Sequence, residues 1–198
     1  STVSRQLARR SGLPHLETGA FYRAATLAVM EAGLDPSDED AVVALVSRLT
    51  MGQEDGRMYL DGRDVTTELR TDPVTASVSA VSAHPGVREH LVSLQRRWVA
   101  EQGGGVVEGR DIGSVVFPDA AVKIFLDASP EVRARRRALE TGEPLDEVLV
   151  DLNRRDRLDS SRAASPLRIP EGAIVVDTSD LTLGEVVDRL VELIAANS

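Results

Sequence analysis

Val106-Val107-Glu108-Gly109-Arg110-Asp111-Ile112-Gly113 decides the fold, read together with Val122-Lys123-Ile124-Phe125-Leu126-Asp127 further along the chain. Both begin as short apolar runs, the pattern of strands covered on both faces in a parallel sheet. The first ends in Gly-Arg-Asp, which sets a cation and a carboxylate beside a flexible backbone joint. Open parallel α/β sheets bind ligands outside the carboxyl ends of their strands. An Arg-Asp pair there can hold an anion with one side chain and an amine with the other. A third stretch, Arg154-Arg155-Asp156-Arg157-Leu158-Asp159-Ser160-Ser161-Arg162, puts four arginines within nine residues. Arginine grips phosphate with two parallel hydrogen bonds, so the three stretches together suggest a pocket for a nucleotide phosphate.

Working outward, the periodicity predicts a helix over 2–11, with Val3, Leu7 and Ala8 on one face, and a strand over 13–16. Thr18 is a plausible N-cap for a helix to Ala32, closed by Gly33, and Ser37 for another over 38–49. Residues 50–69 change character: Asp55-Gly56 and Asp61-Gly62 lie among Met58, Tyr59, Leu60 and Val65, which is hairpin chemistry and predicts a small antiparallel β insert. Helices are expected over 72–83 and 86–102, then a strand over 105–108 and another over 121–127. Ser129-Pro130 opens a helix to Thr141. A helix over 144–158, a strand over 173–177 and a helix over 182–196 complete the pattern. Strands separated by helices imply an α/β fold, a parallel sheet with helices on both faces.

At 198 residues the chain fits a single domain, with 42% hydrophobic and 28% charged residues. A net charge of −9 disfavours a general nucleic-acid binder, because non-specific binding needs a basic face. No apolar run approaches the ~18 residues of a membrane span. The chain has no Cys, which excludes disulfides and Cys-based nucleophiles or metal sites and fits a cytoplasmic location. Lys123 is the only lysine among 23 Lys and Arg, a bias that a GC-rich genome can also produce.

Thr18-Gly19-Ala20-Phe21-Tyr22-Arg23 comes straight after a predicted strand and offers a hydroxyl, an aromatic ring and a cation within about one turn. Asp127 and Asp177 end apolar strands and read as caps of the next element. Residues 153–166 combine helix, turn and arginines, as a flap that closes over phosphates requires; such cations stabilise a transferring phosphoryl group and exclude water. Arg133, Arg135, Arg136 and Arg137 read as a solvated helix face. His15, His84 and His90 show no metal-ligand spacing, and none is assigned a ligand or base role.

The Thr18–Arg23 segment, the β insert, Gly109-Arg110-Asp111-Ile112-Gly113-Ser114-Val115-Val116-Phe117-Pro118, Val122–Asp127 and the arginines up to Arg162 together resemble the bacterial cytidylate kinases, in order and spacing along nearly the whole chain. The resemblance implies a nucleoside monophosphate kinase of the P-loop type. Its monophosphate-binding region would span 18–102 with the insert near 50–69, and a helical lid 153–166. One departure stands out. The family opens with a strand and the loop Gly-x-x-x-x-Gly-Lys-Ser/Thr, and neither is present here. Ser1-Thr2-Val3-Ser4-Arg5 resembles the residues just past that Gly-Lys. The strand and loop are therefore expected upstream, with Ser1 as the hydroxyl residue that helps hold Mg²⁺.

Carried over by position, the resemblance implies that Thr18, Tyr22 and Arg23 line the acceptor site, with Arg23 and Arg110 on its phosphate. Ser79, Arg88 and Asp111 would face the cytosine. Arg155, Asp159 and Arg162 would close from the lid, Arg110, Arg155 and Arg162 being the catalytic cations. The implied reaction moves the γ-phosphoryl group of ATP to CMP or dCMP, with Mg²⁺, and without nucleic-acid or membrane partners, in a monomer. Cytosine presents an amine donor where uracil presents a carbonyl. A carboxylate accepts from the first and leaves the second unpaired, at about 1–3 kcal/mol. An alternative is a catalytically silent nucleotide-binding protein that has lost its phosphate loop. A shikimate-type small-molecule kinase leaves the insert and the base-facing residues without a purpose.

Overall fold

The computed structural model describes residues 2–161 and 169–197, the side chains at 155 and 157–161 excepted. The chain divides into two compact units, Ser1–Gly109 and Arg110–Ser198.

The first unit opens with α1 (Thr2–Ser11), whose buried Leu7 and Ala8 face β1 (His15–Glu17) and β5 (Val106–Glu108). These two strands pair in parallel, His15 opposite Val106 and Glu17 opposite Glu108. Between them run α2 (Thr18–Glu31), α3 (Glu39–Val46), α4 (Asp72–Val81) and α5 (Pro85–Gln102). α2 is buried on nearly every side, from Thr18 and Phe21 to Val29. Its small residues Ala24, Ala25 and Ala28 let α4 pack closely upon it, as a helix apolar all round requires. β2 (Met51–Glu54), β3 (Arg57–Leu60) and β4 (Arg63–Asp64) form a three-stranded antiparallel sheet. Its turns hold Asp55 and Gly56 at φ +48° and +77°, and Asp61 and Gly62 at +49° and +81°. Two successive positive φ values are the mark of the hairpin turn whose twist matches the strands. Met58 and Leu60 point inward to the core around Leu16, Phe21 and Val65.

The second unit begins with a wide helical turn over Ile112–Val116, in which Phe117 N donates to the Ile112 carbonyl five residues back, at 2.7 Å. β6 (Ile124–Asp127) and β7 (Ile174–Asp177) pair in parallel. α6 (Pro130–Thr141) and α7 (Leu145–Ser161) pack on each other, and α8 (Leu183–Asn197) buries Val186, Val187 and Leu190. No helix among the described residues is long and apolar enough to cross a membrane.

The elements expected from the sequence are present within a few residues, with three corrections. The parallel strands among the described residues form two separate pairs instead of one continuous sheet, because apolar runs announce strands and not their partners. Thr18 does not cap α2: Glu17 holds that position, and the Thr18 hydroxyl donates to the Glu108 carbonyl at 2.8 Å. Ser37 does not cap α3: Asp38 does, accepting from Ala41 N at 3.1 Å, while Ser37 donates to Asp35.

Candidate functional site

In the first unit, one face of α2 presents Tyr22 and Arg23. Arg88 of α5 is buried, and its guanidinium lies 5.4 Å from the centre of the Tyr22 ring, a cation–π contact. The same guanidinium donates to the Ser82 carbonyl at 3.3 Å. Arg23 donates to the Leu69 carbonyl at 3.1 Å and to Thr75 Oγ1 at 3.0 Å, which fixes its head beside the start of α4. Ser79 is exposed on α4, and its carbonyl accepts from Ser82 Oγ. The structure therefore brings Tyr22 and Arg88 into contact and ties Arg23 to α4. Thr18, buried, fastens the start of α2 to the carboxyl end of β5.

Beside that link lies a pair that sequence reasoning missed. His15 Nε2 is 2.8 Å from Glu108 Oε1, on neighbouring strands. Burial disfavours the charged form of the Glu108 carboxyl, and the hydrogen bond to His15 works against that. A glutamate closing an apolar run was the available signal, since a buried charge needs a partner. The parallel register that supplies His15 could not be read from the run itself.

In the second unit, Arg110 is exposed and Asp111 buried, at 8% exposure. Asp111 heads the wide turn, and its carbonyl accepts from Val115 N at 2.9 Å, Val116 N at 3.3 Å and Ser114 Oγ at 3.3 Å. Turns of this width recur at functional sites. Arg155 and Asp159 fall on α7, with side chains outside the described ones. Arg162 and Ser1 lie outside the described residues, as does the stretch 162–166 of the expected lid. Among the described residues no cluster of three His, Cys, Asp or Glu could hold a metal ion.

Two arginines read as solvated instead join elements of the fold. Arg133 donates to the Ala128 carbonyl and, at 2.7 Å, to Asp156, joining α6 to α7. Arg136 donates to Thr178 Oγ1 at 3.0 Å and to the carbonyls of Thr178 and Leu181, beyond the end of β7. Helical spacing shows a charged face but not what lies opposite it. Asp127 caps no helix: Oδ1 accepts from Ala128 N, while Ser129 caps α6. Asp177 accepts from Ser179 N, and its bonds with Ser179 hold its carboxyl below the usual range.

Parallel strand pairs flanked by helices define an α/β protein. The family model for cytidylate kinase matches residues 1–196. A cytidylate kinase of Mycobacterium leprae is 51% identical over 203 residues, which cover 100% of this chain and 91% of that protein. Those of Rhodococcus opacus and Caldanaerobacter subterraneus are 49% and 46% identical, again over 100% of this chain and 90% of theirs. The chain belongs to the cytidylate kinase family, and it is accordingly a nucleotide-binding phosphotransferase.

Proposed function

We propose that the protein transfers the γ-phosphoryl group of ATP to CMP or dCMP. The observation that carries the reading is the buried carboxylate of Asp111 at the head of a turn whose backbone is held by three donors. An ionised carboxylate only accepts hydrogen bonds. The exocyclic amine of cytosine is a donor of the right kind, and the carbonyl of uracil is not. Arg88, buried over Tyr22, supplies donors suited to the acceptor edge of the base. Arg23 and Arg110 are assigned to the acceptor phosphate, Thr18 and Tyr22 to the lining of the acceptor site, and Ser79 to the cytosine. Arg155, Asp159 and Arg162 are assigned to a lid over ribose and phosphates. The match of nearly all of this chain to proteins named as cytidylate kinases does not favour a silent nucleotide binder.

Phosphoryl transfer asks the protein for alignment and for cations on developing charge, with little covalent work. Mg²⁺ bound on the donor's phosphates would neutralise part of that charge. Magnesium is held by one or two protein ligands besides substrate phosphates; Ser1 is the residue assigned to it. In this scheme Arg23 and Arg110 hold the acceptor, Asp111 and Arg88 set its base, and the lid arginines track the developing charge.

Steady-state kinetics of Asp111→Asn test the reading. Asparagine offers donor and acceptor together, so the CMP-over-UMP ratio of kcat/KM falls about tenfold or more, from roughly 1–3 kcal/mol of lost discrimination. An equal loss on both substrates would show that Asp111 does not read the base.

A further inference from the structure

Lys123, the only lysine in the chain, has a place in the fold that the family reading leaves without a task. It stands just before β6, and its carbonyl accepts from Ile174 N of β7 at 2.9 Å. Its backbone is thus fixed to the sheet. Its side chain turns the other way, onto the loop that Asp111 heads. Nζ donates to the Pro118 carbonyl at 3.0 Å, closing the far end of that loop. The stem lies against Gly113: a Cβ on Gly113 would sit 3.1 Å from Lys123 Cδ and 2.9 Å from Pro170 Cγ. The turn between Asp111 and Pro118 is therefore held at three points. Donors inside the turn hold the Asp111 carbonyl, Lys123 and Pro170 clasp Gly113, and the ammonium holds Pro118. Lys123 lines a recess of about 490 Å³ together with Gly113, Pro118, Asp119 and Glu171.

We propose that Lys123 is the positioning residue of the Asp111 turn and, through it, a determinant of base selectivity. The inference rests on the reading that Asp111 faces the base. Lys123 itself touches no substrate in this scheme. Its ammonium and stem transmit the rigidity of the β6–β7 pair to a turn that lies outside the strands. A misplacement of about 1 Å at a reacting or reading group can cost on the order of 10²-fold, so a slack turn blunts discrimination before it abolishes turnover.

The test compares Lys123→Met, Lys123→Arg and Asp111→Asn in the purified protein, with CMP and UMP as varied substrates. Met keeps the stem and removes the donor; Arg keeps a donor. In Lys123→Met the CMP-over-UMP ratio of kcat/KM is expected to fall about fivefold or more, mainly through KM for CMP, with KM for ATP unchanged. Lys123→Arg is expected to restore most of the ratio. A residue that only stabilised the fold would lower the thermal midpoint and the active fraction alike for both substrates, and would leave the ratio alone. An unchanged ratio in Lys123→Met, beside a collapsed ratio in Asp111→Asn, overturns the proposal and spares the base reading. An unchanged ratio in Asp111→Asn overturns both. Should Lys123→Met fail to fold, Gly113→Ala probes the same clasp from the other side: its methyl group must displace Pro170 or the lysine stem, and an unchanged ratio there overturns the proposal equally.

Discussion

At the scale of single residues, the site is built from groups whose partners decide what they can do. Arg88 would be a liability in the core without the Tyr22 ring and the Ser82 carbonyl; with them it is a fixed donor. His90, on the same helix, is the opposite case. Burial pushes its imidazole below the ordinary 6.5, and the nearby Arg97 adds to the effect, so folding disfavours its protonated form. The unfolded chain takes up a proton near the ordinary value. Stability from this group is therefore present above about pH 6.5 and is lost as the pH falls from there toward the lowered folded value. His90→Gln removes the titration. Thermal midpoints of the two proteins between pH 5 and 7.5 are expected to converge toward acid, the wild type falling the more steeply. Parallel pH profiles would show that His90 does not titrate differently on folding.

At the scale of elements, much was legible and the reasons are specific. Paired Asp-Gly steps announced the hairpins of β2–β4 because only such residues sit easily at positive φ in succession. Ser129-Pro130 announced α6 because the serine hydroxyl and the proline ring suit the first turn, and Ser129 Oγ does accept from Val132 N at 3.3 Å. What the sequence hid were links between elements distant in the chain: Thr18 to Glu108, His15 to Glu108, Arg133 to Asp156, Arg136 to Thr178. No local spacing encodes these. The start of α8 shows a local device that spacing does encode. Thr182 Oγ1 accepts from Glu185 N at 3.3 Å, while Glu185 Oε2 accepts from Thr182 N at 2.8 Å and from its hydroxyl, so the bonds to Thr182 lower the Glu185 pKa. This reciprocal cap satisfies donors that the helix leaves open. Thr182→Ala is expected to lower the free energy of unfolding by about 1 kcal/mol, in the usual range for such caps of roughly 0.5–2. Denaturant midpoints measure it, with catalytic constants unchanged.

At the scale of the whole molecule, a chain of net charge −9 binds polyanionic nucleotides only where cations are gathered locally. Arg23 and Arg88 are gathered that way in the first unit, each held by backbone or side-chain oxygens. The proposed substrate can be tested here without any turnover. A ligand that binds only the folded state stabilises it by about 2.7 kcal/mol at a hundred times its dissociation constant. For a protein of this size each kcal/mol moves the thermal midpoint by about 2–4 °C, so saturating CMP is expected to raise it by about 5–11 °C. If Asp111 discriminates about tenfold in binding, UMP at the same concentration stands at about ten times its own constant and gives roughly half that shift. Asp111→Asn should shrink the difference between the two nucleotides, while Arg155→Ala and Arg162→Ala should leave both shifts nearly intact and cut kcat by on the order of 10²-fold, because charge on a transferring phosphoryl group develops only in the transition state. Equal shifts for CMP and UMP in the wild type would remove the base-reading role from Asp111. Full kcat in both arginine variants would remove the lid arginines from the chemistry and leave their positions in and beyond α7 without a catalytic reason.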